Sequence, residues 1–440
     1  MITKLARSQS LVVRPSSSVA KYLGKTVDPV AIGKELKVDA ILTANFLHAR
    51  DRIRVTAQLV DIGDRNVLWA EQIDSDTDDV IGLQDLITNR IVEGLKCELE
   101  TSAPPNVAVP ATGNSVAYME YLRGRDQLRR YIFHTVANEN VEIAIRHFTL
   151  AIDLDPKFAL AHSALGTCYL QKVIKVVGTR EDVARAASAF DLALELDPQL
   201  VDARAYRSFI TRLQGETQKS RDELAKLRDD EPNSFEVQYL SAACYRFDGD
   251  YESALQCYAE MLRLDPTAQV AIHYCRARIF LYRADLANAF SELELADKIE
   301  PNHPIVKLFH GILTLRSGDP ATAAAEMRIL FATYPSVGFR PYFSMCLSAL
   351  GEREAALREL SAETEAIAAV DPDISYWLAS ANLMAGRTET AFKWLRDSIF
   401  LGNHNLPWFE ADPVWTPLRQ DPRFLELLAP LKKLHVGGEW

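Results

Sequence analysis

The sequence predicts a mostly α-helical protein: a solenoid of paired helices preceded by a small α/β domain. Three observations carry that expectation. Seven prolines (Pro156, Pro198, Pro232, Pro266, Pro301, Pro335 and Pro372) form a ladder with gaps of 34 to 42 residues, four of the six being 34 or 35. An acidic residue precedes six of the seven. Small and large apolar residues recur at helical spacing between these prolines, whereas the first hundred residues contain apolar alternation of period two.

Taken in order, residues 1–100 begin with a short apolar run, Leu11, Val12 and Val13, that ends at Arg14-Pro15 and a serine cluster. Asp28-Pro29 supplies an N-cap and a first-turn proline for a helix over VAIGKELKV. AILTANFLHA and RIRVTAQLVD then read as strands. In the second, Ile53, Val55, Ala57 and Leu59 alternate with Arg54, Thr56, Gln58 and Val60, which gives one buried face and one wet face. Gly63-Asp64 makes a turn into a third strand, VLWAEQID. Asp76 to Asp79 precede a long amphipathic helix whose stripe is Val80, Leu83, Ile87, Ile91 and Leu95. Residues 101–113 hold Pro104, Pro105 and Pro110 and read as an extended linker.

The array runs from 114 to 402 in about eight units. In the unit closed by Pro266, the first helix offers small Ala242 and aromatic Tyr245, Gly249 makes the turn, and the second helix supplies Ala254, Tyr258 and Met261. The next unit repeats the pattern as Ala277, Phe280, Ala289, Leu293 and Ala296, and the one after as Gly311, Gly318, Ala323, Met327 and Leu330. Small residues let helix backbones approach, large ones fill the holes, and Gly then Pro stop the helices. These residues at this period resemble the tetratricopeptide repeat family, although few units carry its leading tryptophan and Thr314 stands where an aromatic is usual. The resemblance implies a right-handed superhelix. About eight extra residues in LQKVIKVVGTRED of the second unit account for the 42-residue gap and are expected to form a surface loop. Residues 403–440 (NLPWFEADPVWTPLRQDPRFLELLAPLKKL and its flanks) are expected to cap the last unit, with Trp408, Phe409 and Trp415 over its apolar end.

LVVRPSSSVAKYLGK, the helix ending KELKVDAIL, the two following strands and DVIGLQDLITNRIVEGL together resemble the TolB-like amino-terminal domain that often precedes tetratricopeptide arrays in bacterial signalling proteins. That family usually carries a further strand and helix before the position of Met1. The expectation is therefore an incomplete domain or a reading frame that extends upstream.

Net charge is -11 and the pI is near 5.4, a balance that argues against nucleic-acid binding. No run of 18 apolar residues or secretory signal is present, so no membrane span is expected. This points to the cytoplasm, with the periplasmic half of a longer membrane-anchored protein as the alternative. Cys97, Cys168, Cys244, Cys257, Cys275 and Cys346 show no zinc spacing and read as buried small apolar residues. Dispersed histidines, and the absence of a phosphate loop, HExxH, GxSxG or kinase signature, lead to the expectation of no enzyme, no cofactor and no metal.

Binding is the better reading. In tetratricopeptide arrays the first helix of each pair lines a concave groove, and the offsets that face it map to Arg212, Tyr239, Arg246, Tyr274, Arg278, Leu308 and Ile312. Arginines and tyrosines there suit an acidic or aromatic peptide. The expected function is a regulatory scaffold for a protein or peptide partner. The alternative is the sensory half of a bacterial receptor whose adenylate cyclase, Ser/Thr kinase or winged-helix output domain lies outside this chain.

Overall fold

In the computed structural model, residues 13–14, 16–19, 22, 28–49, 52–76, 86, 90, 112–133 and 138–436 are described. The linker 101–111, most of the helix expected after Asp79, Cys97 and the segment before Val13 lie outside them.

Helix α1 (Pro29–Leu36) starts at Asp28, whose carboxylate accepts the Val30 N–H at 3.0 Å. It leads into an antiparallel sheet of β1 (Ala40–Ala49), β2 (Arg52–Asp61) and β3 (Val67–Asp76), in that spatial order. Val55, Ala57 and Leu59 of β2 are buried, the alternate face that the period predicts. An arm at Arg14 ties this module to the array. Its guanidinium donates to the Leu36 and Lys37 carbonyls at 2.9 and 2.7 Å and to the Leu264 carbonyl at 3.0 Å.

Eight helix pairs follow among the described residues: α2/α3 (Ser115–Phe133, Asn138–Leu154), α4/α5 (Ala159–Ile174, Arg180–Leu196), α6/α7 (Val201–Leu213, Thr217–Asp230) and α8/α9 (Phe235–Asp248, Tyr251–Leu264). Then come α10/α11 (Gln269–Tyr282, Leu286–Ile299), α12/α13 (Pro304–Arg316, Pro320–Thr333), α14 (Arg340–Ala349) with a broken partner, α15 (Arg353–Arg358) and α16 (Ala362–Ala368), and α17/α18 (Pro372–Met384, Thr388–Phe400). Helices α19 (Leu406–Ala411) and α20 (Pro422–Val436) end the chain. Four of the six acidic residues that precede ladder prolines have the same local role. Asp155, Asp197, Asp265 and Asp371 each accept the backbone N–H two residues on, at 2.9 to 3.1 Å, which turns the chain between units. Within a unit, small residues admit large ones: a Cβ on Gly124 would lie 2.7 Å from the Phe148 ring, and one on Gly311 would lie 2.6 Å from Met327.

The superhelix closes on itself. A single apolar cluster links units four to eight and the tail, from Ala242 to Leu431, and it also takes in Val176 from the second unit. The expected surface loop of unit two is therefore a strap. Its Val176 lies against Gly338, in the turn between α13 and α14. The tail divides its aromatics between two tasks. Trp415 sits between Phe392 and Phe424, at 6.2 and 5.4 Å, and covers unit eight as expected. Trp408 packs on Tyr376 and Trp377 of unit eight at 6.5 and 6.2 Å and also reaches Tyr282 of unit five at 5.0 Å.

Candidate interaction groove

The first helices of the pairs form the inner wall, and the groove has two rims. At one rim lie the C-terminal ends of these helices, where the carbonyl ends favour cations. Arg212, Arg246 and Arg316 all fall in the last turn of their helices, and Arg278 lies within the last five residues of α10. The sequence expectation names the first two of these, with Arg278, as groove contacts, and the structure sets carboxylates of this chain against all three. It also fills the space in front of them with this chain's own C-terminal segment.

Arg246 and Arg278 grip one carboxylate. Arg246 makes a bidentate pair with Asp373 of α17, at 2.9 Å for both bonds, and Arg278 adds a third at 2.8 Å. Burial alone would raise Asp373; the guanidiniums of Arg246 and Arg278 outweigh it and hold the acid below the usual carboxylate range. Arg246 also stacks over Phe247 at 4.1 Å, and Arg278 over Phe309 at 4.8 Å. Arg212 is fully buried, pairs with Asp248 and donates to the Gly402 carbonyl at 3.0 Å from Nε. Arg221 shares Asp248 at 2.7 Å. Around them the tail is stitched to unit four: the His404 N–H donates to the Phe247 carbonyl at 2.8 Å, and the Tyr251 hydroxyl to Asn405 at 2.6 Å. Burial drops His404 to about 4, so it is neutral at physiological pH. Farther along, Arg316 pairs with fully buried Asp412 at 2.8 Å, which also accepts the Tyr376 hydroxyl at 2.6 Å.

Four of the seven expected contact residues are thus withdrawn from a partner in this conformation. Arg212 and Arg246 are 0% and 6% exposed because the tail and α17 lie on them. Leu308 and Ile312, at 1% and 2%, are apolar residues of α12 inside the shared core. Arg278 keeps partial exposure but is committed to Asp373. Sequence reasoning did not find the acids that occupy these arginines, Asp373 and Asp412. Asp373 is camouflaged by its place after Asp371-Pro372, where a carboxylate reads as helix-capping.

The opposite rim, at the N-terminal ends of the same helices, is the more open of the two: Glu236 is half-buried and Asp202 exposed. Tyr239 and Tyr274 are half-buried there, and Tyr274 stacks against His303 at 5.9 Å. Glu236 lies one turn before Tyr239. Burial and then the charge of Asp202 push it up to about 7. Asp371 is also pushed up to about 7, by burial and then by its neighbour Asp373. Arg125 of unit one supplies a compensating positive charge near Asp202. No group of three or more His, Cys, Asp or Glu side chains among the described residues could hold a metal ion. No helix among them is long and apolar enough to cross a membrane.

Residues 135–201 and 347–405 match the family model described as tetratricopeptide repeat. A curated relative, a putative adenylate cyclase 3 of Rhizobium meliloti (strain 1021), is 29% identical over 174 residues, 40% of this chain. The match spans only 29% of that relative's length. Among solved structures, a tetratricopeptide repeat protein from Parabacteroides merdae ATCC 43184 superposes with a TM-score of 0.37 at 15% identity, over 61% of this chain and 98% of that one. Human IFIT1, solved as a dimer with m7Gppp-AAAA, gives 0.47 at 13% identity over 72% of this chain and 77% of that one.

Proposed function

We propose that this chain, a tetratricopeptide-repeat protein, is a non-enzymatic scaffold that receives a protein partner on the open rim of its concave face. The arrangement at Arg246 and Arg278 carries the reading. The positive charges that would have selected an acidic peptide are already neutralised by Asp373. What remains on offer is Tyr239 and Tyr274 with the carboxylates of Glu236, Asp202 and Asp371. The expected partner therefore changes from an acidic segment to one presenting basic or aromatic side chains. A lysine or arginine placed between Glu236 and Asp202 would relieve their mutual repulsion, and the tyrosines provide rigid stacking area. The test is affinity capture with the whole chain and with a Tyr239→Ala/Tyr274→Ala variant. Loss of the captured protein at an unchanged unfolding midpoint supports the reading; undiminished capture removes it.

A second reading rests on the curated relative. In it, the chain is the regulatory half of a signalling receptor, its first module is TolB-like, and a cyclase, kinase or winged-helix domain provides the output. Immunoblotting the source cell with an antibody to the array separates the two readings. A species at 49.3 kDa favours the scaffold, and a substantially larger one favours the receptor.

A further inference from the structure

Helix α4 ends in a Schellman turn: the Val176 N–H donates to the Val173 carbonyl and the Val177 N–H to the Lys172 carbonyl, both at 2.9 Å. The left-handed residue of such a turn is usually glycine, as it is after α6, α8, α12, α14 and α17. After α4 it is Val176, a β-branched residue at φ 62°, which that region of backbone space disfavours. The Val176 side chain is buried, and it belongs to the core of units four to eight rather than to that of its own unit. Its seat is Gly338, where even a single added carbon would overlap the valine. Beside it, Val370, just before α17, is buried in one cluster with Leu170 and Val173 of α4. The Lys175 ammonium donates to the Ile132 carbonyl of α2 at 3.0 Å, and its charge reaches His303 at the start of α12. One short segment at the C-terminal end of α4 thus reaches units one, two, six, seven and eight.

We propose that this strap, residues 172–178, is a gate on the groove. Seated, Val176 closes the superhelix by filling the space that Gly338 leaves. Unseated, its backbone relaxes out of the left-handed conformation and the ring of units loosens for an incoming segment. Backbone strain held in place by a side-chain seat is a condition under which a local opening precedes global unfolding. The purpose of the gate rests on the groove reading above; its motion does not.

Amide hydrogen exchange on the whole chain tests the motion without a partner. In the wild type, the Val177 and Gly178 amides are expected to exchange at least about tenfold faster than those of α5. Gly338→Leu, which blocks the seat, is expected to speed them about tenfold more while α5 is unchanged. An oxidised Val176→Cys/Gly338→Cys pair is expected to slow them to the rate of α5. Exchange of Val177 and Gly178 that tracks global unfolding in the wild type, or that the disulfide leaves unchanged, overturns the gate even if Gly338→Leu fails to fold. A strap that opens while Tyr239→Ala/Tyr274→Ala leaves capture intact removes only the groove reading. A strap that never opens while capture is lost removes only the gate.

Discussion

The two rims of the groove are built from opposite ends of the same helices, and they have opposite fates. At the C-terminal ends, Arg246, Arg278 and Arg316 meet carboxylates that lie 95 to 127 residues away in sequence, and almost no surface remains. At the N-terminal ends, Tyr239, Tyr274 and Glu236 stay half-buried, with part of each residue exposed. The repeat pattern is the same at both. What separates them is closure of the superhelix, which carries α17 and the tail back onto Arg212, Arg246, Arg278 and Arg316 of units three to six. Inner-wall position therefore does not by itself make a residue a contact for another protein.

The largest effect should come from the closed rim. Asp373→Ala leaves two guanidiniums facing each other in a buried site, and the expected loss is about 3–5 kcal/mol of unfolding free energy in urea titration. A loss below about 1 kcal/mol would mean that water reaches the pair and that the two rims differ little in burial. Next come the turns along that rim. Gly249 has φ 79°, and a Cβ there would lie 2.7 Å from Pro407 of the tail; Gly318 has φ 93° and open space around it. Both alanine variants incur left-handed strain of about 1–2 kcal/mol, and Gly249→Ala should cost more by about 1 kcal/mol because Pro407 must also move. Equal melting temperatures for the two would contradict the tail's place against unit four.

The open rim should show itself in pH dependence. The folded-state pKa of Glu236, about 7, lies above the unfolded value of about 4, so the native state binds its proton more tightly. The resulting contribution favours folding at low pH, falls as pH rises from about 4 to about 7, and stays as a penalty above that. Glu236→Gln should therefore match the wild type near pH 4 and exceed it at pH 8 by on the order of 1 kcal/mol, measured as paired urea midpoints. The smallest change in stability belongs to Tyr239→Ala/Tyr274→Ala, within about 1 kcal/mol, because both rings are partly in water before substitution.

Much of the architecture is legible in the chain because it is local. The Asp-Pro turns, the left-handed residues that end the first helices, and pairs such as Gly311 with Met327 all follow from residues within one unit. Alternation in β2 and the Asp28 cap are equally short-range. The state of the groove is different. The offsets single out Arg246 and Arg278, but nothing near them in sequence announces Asp373, since a carboxylate two residues after Asp371 looks like any first-turn acid. Trp408 reads as a cap of the last unit, and its second contact, with Tyr282 of unit five, has no local signal. Val176 shows least of all: its significance depends on a glycine 162 residues later that leaves room for it.

The central claim is that the arginines of the inner wall are bound by the chain's own far end. A double-mutant cycle on Arg246→Met and Asp373→Leu measures it most directly, because the two residues are 127 apart and couple only if that contact forms. The expected coupling free energy is about 2 kcal/mol or more, with the double variant more stable than either single one. Additivity within about 0.5 kcal/mol would contradict it and return both arginines to the surface available to a partner.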